Sequence, residues 1–145
     1  MKFNINLVII DSNFILLPFQ FKIDYFSEIR QLLEGPIRFV IFQQILDELE
    51  SKKKKNSKAM NFSRFLEAGV LFIKKNENKY DIKILEDVKE EIETTDDFLI
   101  RMCFKLKEEF QKLHLATNDS NLRRKAKKLN INTIFLRQKK YLSID

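Results

Sequence analysis

The chain has 145 residues, 44% of them hydrophobic and 33% charged, with a net charge of +6; this fits one globular domain able to bury roughly 68–70% of its unfolded surface. One cysteine, one histidine and two glycines exclude an internal disulfide, a cysteine- or multi-histidine zinc site, a glycine-rich dinucleotide loop and a Walker-type phosphate loop, and they leave a Ser-His-Asp triad hard to build. Any chemistry must lie in the carboxylates, and the positive charge invites a polyanionic partner.

Residues 5–10 read as a buried strand, continuous, apolar and ended by a polar turn at Asp11. In "SNFILLPFQF" Pro18 interrupts the apolar run, so a helical turn and a loop are expected, apolar enough to serve as core or as a homodimer contact. "DYFSEIRQLLE" has helical spacing with Asp24 as N-cap, and Gly35-Pro36 ends it. "IRFVIF" is a second strand, "QQILDELESK" a helix, "KKKKNSK" a charged break and "KAMNFSRFLEAGVLFIKK" a longer helix. "DIKIL" is a third strand, followed by the ambiguous acidic stretch "EDVKEEIETTDD". "DDFLIRMCFKLKEEFQ" is an amphipathic helix, "KLHLAT" a fourth strand, "SNLRRKAKKLN" a basic helix, "INTIFL" a fifth strand and "RQKKYLSID" a polar tail.

Strands alternate with helices throughout, which predicts an α/β fold with a parallel sheet of about five strands covered on both sides, in a single domain spanning residues 1–145. No apolar run approaches the ~18 residues of a membrane span, and the N-terminus lacks the order of a signal peptide. A cytoplasmic protein with no membrane partner is expected.

In open α/β sheets, sites form beyond the carboxyl ends of the strands. Asp11 follows the first strand and Asp119 the fourth; Asp97 opens a helix, with Asp96 beside it, and Glu48 lies in the helix after the second strand. Each has a plain alternative. Asp11 and Asp119 would serve as turn or cap residues, Thr94 with Asp97 forms a capping box, and Glu48 fits a solvated helix face. Brought together, such acids repel: two carboxylates about 5 Å apart do so by roughly 3 kcal/mol at an effective dielectric near 20. Hard divalent cations with oxygen ligands relieve that repulsion, and one or two Mg²⁺ or Mn²⁺ ions suit phosphodiester displacement.

The segments "VIIDSNF" (Val8–Phe14), "ILDELES" (Ile45–Ser51), "TTDDFLIRMC" (Thr94–Cys103) and "ATNDSNLRRKAKKLNINTIFL" (Ala116–Leu136) together resemble a PIN domain in order and spacing, across essentially the whole chain. "FILLPFQFKIDYF" is further similar to single-domain archaeal PIN proteins, a group related to ribosomal-RNA-processing nucleases and more distantly to toxin nucleases. The resemblance implies a three-layer α/β/α fold and a Mg²⁺- or Mn²⁺-dependent ribonuclease leaving 5′-phosphate and 3′-hydroxyl ends. By motif, it makes Asp11, Glu48, Asp97 and Asp119 the catalytic and metal-binding acids, with Asp96 able to share the role of Asp97. Ser12, Asn13, Thr117 and Asn118 fall where small polar residues orient the acids. Asn121 stands where some members carry a further acid, which weakens any second metal position. The helix-ending glycine of the family is Asn130 here. The implied partner is RNA, with an antitoxin or a ribosome-assembly protein beside it; rRNA processing and a toxin role both stay open.

Setting aside four candidate ligands leaves 17 acids against 27 basic residues, a net +10. Two basic clusters are candidate RNA contacts: Lys52, Lys53, Lys54, Lys55 and Lys58 after Glu48, and Arg123, Arg124, Lys125, Lys127 and Lys128 after Asp119. Solvated helix faces are the alternative. His114, between Leu113 and Leu115, and Cys103 read as structural residues. Two other functions compete: a PIN-like module that binds RNA or protein with little or no catalysis, which the intact acids argue against, and an aspartyl phosphotransferase, disfavoured by Asn13 where a second Asp is needed.

Overall fold

The computed structural model describes residues 2–56 and 60–145; Lys58 lies outside the described residues. In chain order the elements are β1 (Phe3–Ile10), α1 (Ser12–Ile15), α2 (Leu17–Gln20), α3 (Tyr25–Leu32), β2 (Ile37–Phe42), α4 (Gln43–Lys55), α5 (Met60–Asn76), β3 (Asp81–Leu85), α6 (Thr95–Lys107), β4 (Phe110–Ala116), α7 (Ser120–Lys128), β5 (Asn132–Arg137) and β6 (Tyr141–Ile144).

The strands form one six-stranded sheet in the order β3-β2-β1-β4-β5-β6, with helices around it. The first five strands are parallel and β6 joins antiparallel. β1 lies at the centre, so its second half, Leu7 to Ile10, is wholly buried. That explains a run of apolar residues with no alternation. From β1 the chain moves outward through β2 and β3, then returns to lay β4 on the other side of β1. The strand order therefore reverses between β1 and β4, the place where open α/β sheets form their sites. Their ends are in register, Ile10 beside Ala116, and the Asp11 N–H donates to the Ala116 carbonyl at 3.0 Å.

The core is rich in aromatic rings. Phe26 packs on Phe39 and Tyr25, with ring centroids 4.8 and 4.4 Å apart. Phe14, Ile15 and Leu17 of the apolar segment after β1 are buried in this core, whereas Phe19 is half-exposed and packs on Phe65. Helix α5 passes very close to α1: a Cβ on Gly69 would stand 2.0 Å from the Ile15 carbonyl oxygen. Only glycine fits there.

Three boundaries differ from the sequence expectation. Helix α4 continues through Lys55, where a charged break is expected; lysine is a good helix former and its charge suits a helix C-terminus. Helix α6 stops at Lys107 although the amphipathic period runs on to Gln111. Phe110 instead starts β4, beside Phe3 with ring centroids 5.3 Å apart. The tail is not irregular: Tyr141–Ile144 forms β6, reached through a turn in which Gln138 and Lys139 both have positive φ, 55 and 56°. After α7, Asn130 takes the left-handed conformation at φ 59°, as its place at the helix end requires. Among the described residues, no helix is long and apolar enough to cross a membrane.

Candidate active site

Asp11 is the first residue past a fully buried strand, and only 5% of it is exposed. Its backbone is extended and its Oδ1 accepts the Ser12 N–H at 2.7 Å, so it caps the short helix α1. The capping role uses one oxygen. The other, Oδ2, accepts the Thr117 hydroxyl at 2.7 Å and the Asn13 side-chain amide at 3.3 Å.

Thr117 is itself fully buried, and its Oγ1 also accepts from Asn13 Nδ2 at 3.3 Å and from the Asp119 N–H at 3.1 Å. Asn13 Oδ1 accepts the Asn118 N–H at 3.0 Å, and Asn118 Oδ1 accepts the Leu136 N–H at 2.7 Å. The carboxyl ends of β1, β4 and β5 are thus tied by side chains far apart in sequence. Asp119 caps α7 through Oδ1, taking the N–H groups of Asn121 and Leu122 at 2.9 and 3.2 Å.

Helix α6 supplies a third acid. Thr94 caps it, accepting the Asp97 N–H at 3.1 Å. Burial of Phe98, Leu99, Met102 and Cys103 fixes how the helix is rotated. That rotation turns Asp97 outward, exposed and 3.7 Å from Lys125, and leaves Asp96 half-buried. Burial raises the pKa of Asp96 above the ordinary carboxylate value, and the charge of Asp119 raises it further, with Lys125 opposing and Asp97 adding. Burial likewise raises the Asp11 pKa; the bonds from Thr117 and Ser12 oppose it, while Asp96 and Asp119 add to it. Asp96 and Asp119 therefore both act on Asp11, and Asp119 acts on Asp96. Asp97 does not belong to the charges felt by Asp11.

Glu48 occupies a separate corner. Its Oε1 lies 2.6 Å from the Lys89 ammonium, and the Thr95 hydroxyl lies 2.9 and 3.0 Å from its two oxygens. Sequence reasoning gave neither Lys89 nor Thr95 a role. The only signal was Lys89 as the sole base in the acidic stretch 86–97.

Residues 8–139 match the family described as PIN like domain. The chain belongs to this family. It is 26% identical over 137 residues to the ribonuclease VapC4 of Methanocaldococcus jannaschii, covering 94% of this chain and 95% of that protein. Among solved structures it is similar to the PIN domain endonuclease Utp24, with a TM-score of 0.67 and 23% identity over 96% of this chain and 90% of that one. That likeness concerns the fold.

Around the acids of this PIN-like domain the basic clusters fall in two places. Arg124 and Lys127 line a surface cavity of about 280 Å³ together with Ser120, Arg123 and Asp145. Arg123 is stacked on Phe135, its guanidinium carbon 3.7 Å from the ring centroid, so part of its charge is committed to packing. Arg124 also donates to Asn121 Oδ1. On the other side, Lys52 and Lys55 line a groove of about 410 Å³ with Glu48, Ser51, Asn56 and Thr95. Lys53 instead pairs with Glu67 at 3.1 Å, and Lys54 is exposed.

The acids of the PIN-like domain suit a hard cation, within limits the geometry sets. Among the described residues, no three Asp, Glu, His or Cys side chains close into a cage for a metal ion. The set is open and made only of oxygen donors, with the pKa of two acids raised by burial and like charge. Mg²⁺ fits such a site because it keeps several waters and uses one or two carboxylates plus substrate phosphates. Cys103 and His114 stay outside this chemistry. Burial pushes the Cys103 thiol up to about 12. Burial and Lys112 pull His114 down to about 4, and its ring faces Asn6 Oδ1 at 3.3 Å.

Proposed function

We propose that this PIN-like protein is an endoribonuclease dependent on Mg²⁺ or Mn²⁺, with Asp11, Asp96 and Asp119 as the metal-holding acids. One observation carries the reading. A buried carboxylate stands at the point where the strand order reverses, facing two further acids whose charges raise its pKa. Like charges gathered around a buried carboxylate are costly without a counter-ion, and the capping bonds of Asp11 and Asp119 each occupy only one oxygen of the acid. The ribonuclease relative, similar along almost its whole length, supports RNA as the polymer.

A bound divalent ion would supply positive charge at the scissile phosphate and lower the pKa of water. The chain's own residues prepare for that. Ser12 and Thr117 fix the two oxygens of Asp11 and favour its ionised form. Among the described residues Asp119 is held through Oδ1, which leaves its second oxygen to face a ligand. Asp96 approaches from α6, on the opposite element. Lys52, Lys55, Arg124 and Lys127 provide cationic walls for the RNA backbone on both sides of the acids.

The test uses purified protein and a labelled single-stranded RNA. Cleavage is expected with Mn²⁺ or Mg²⁺, to stop in excess EDTA, and to fall at least a hundredfold in Asp11→Asn with the fold intact by circular dichroism. Equal cleavage in EDTA would overturn the reading.

A further inference from the structure

Glu48 is the acid that the others do not sense: it is absent from the charges that shift Asp11 and Asp96. Its own carboxylate is already satisfied. The Lys89 ammonium lies 2.6 Å from Oε1, and the Thr95 hydroxyl reaches both oxygens. Lys89 Nζ also stands 3.5 Å from Thr95 Oγ1, so the three groups form one closed cluster.

Lys89 is not a loose surface lysine. Its N–H donates to Gln44 Oε1 at 3.3 Å, fastening the loop before α6 to α4. The same loop is clamped from α6, where Arg101 makes two 2.8 Å bonds to Glu93 and a 3.1 Å bond to the Val88 carbonyl. A dication approaching Glu48 would meet this fixed ammonium, with Lys52 and Lys55 along the adjoining groove. At the start of α7 the side chain is the neutral Asn121, its oxygen held by Arg124. Among the described residues, then, the flanks of the Asp11–Asp96–Asp119 set hold a Glu48 already paired with Lys89 and a neutral Asn121.

We propose that Lys89 closes Glu48 to a second divalent cation, so that the protein binds one ion, at Asp11, Asp96 and Asp119. This rests on the metal-dependent reading above.

Mn²⁺ binding, followed by titration calorimetry and by the electron paramagnetic resonance of the bound ion in RNA-free protein, tests the stoichiometry. Wild type and Lys89→Arg are expected to take one ion. Lys89→Met is expected to take two, with dipolar broadening of the spectrum, and Lys89→Met/Glu48→Gln to return to one. Two ions in wild type, or one in Lys89→Met, would overturn the role of Lys89 while leaving a metal enzyme in place. No Mn²⁺ bound by wild type would overturn the metal-dependent reading as well.

Discussion

Thr117→Val replaces a hydroxyl with a methyl of nearly the same shape at a fully buried position. The change removes the 2.7 Å bond to Asp11 Oδ2 and the acceptor for the Asp119 N–H. A hydrogen bond to a charged group contributes about 1.5–3 kcal/mol, and an unpaired buried polar group costs about 1–3 kcal/mol. The Asp119 N–H lies near the surface, so a loss of about 3 kcal/mol is expected, against a total stability of about 5–15 kcal/mol for a domain. Thr117→Ser keeps the hydroxyl and loses one methyl, about 1 kcal/mol. Urea unfolding in EDTA should therefore separate the two variants by about 1 M or more in midpoint.

The Thr117 bond also holds the Asp11 pKa down against burial. With the Asp11 pKa raised above its ordinary value in the metal-free fold, ionising it costs stability as pH rises through the folded value. Metal binding needs the ionised form, so affinity is lost as pH falls through that same value. In Thr117→Val the loss should begin at higher pH than in wild type, read from Mn²⁺ titrations across the acidic range. Valine and serine variants equal within 0.5 kcal/mol, with the same pH midpoint, would refute the argument.

Other outcomes follow from the same geometry. Asp96→Asn should abolish Mn²⁺ binding and RNA cleavage, whereas Asp97→Asn, outward and beside Lys125, should change cleavage less than threefold; the reverse order would make Asp97 the ligand. Gly69→Ala should lower stability by about 3 kcal/mol or prevent folding, against the gain of about 1 kcal/mol that alanine normally brings to a helix, because its Cβ would collide with the Ile15 carbonyl oxygen; a thermal melt decides it. Replacing Arg124 and Lys127 with alanine should weaken all single-stranded RNAs alike and flatten the salt dependence by roughly 0.7 per lost phosphate contact. An unchanged slope would move the RNA track to the Lys52–Lys55 groove.

The parallel sheet was legible from apolar and β-branched runs: "IRFVIF", with four buried residues, and "DIKIL", at the sheet edge, are strands from first residue to last. Position past a strand end was enough to single out Asp11 and Asp119. Which of Asp96 and Asp97 turns inward depends on the rotation of α6, and that rotation is readable from the sequence. At 100° per residue, Asp96 lies about 90° from the middle of the stripe Phe98–Leu99–Met102–Cys103 and Asp97 about 170° from it. Motif position gave Asp97, with Asp96 able to share its role; the apolar stripe places Asp96 nearer the buried face. The pairing of Glu48 with Lys89 was beyond reach, since it joins a helix to an irregular loop whose path follows from tertiary packing. β6 was hidden for a different reason. Its turn is built on Gln138 and Lys139 rather than the Asn-Gly type of pair that marks tight hairpins, and only Leu142 of its four residues is buried.

The side-chain network behind Asp11 has a consequence for the order in which the protein is made. Asp11 and Asn13 emerge early in synthesis, but their partners Thr117 and Asn118 come more than 100 residues later, and Asn118 is itself anchored to Leu136. A chain growing from its N-terminus therefore carries no assembled acid cluster until residue 136 has left the exit tunnel. Any activity that depends on these acids therefore waits for the last parallel strand to close the sheet, however early the strand that carries Asp11 is made.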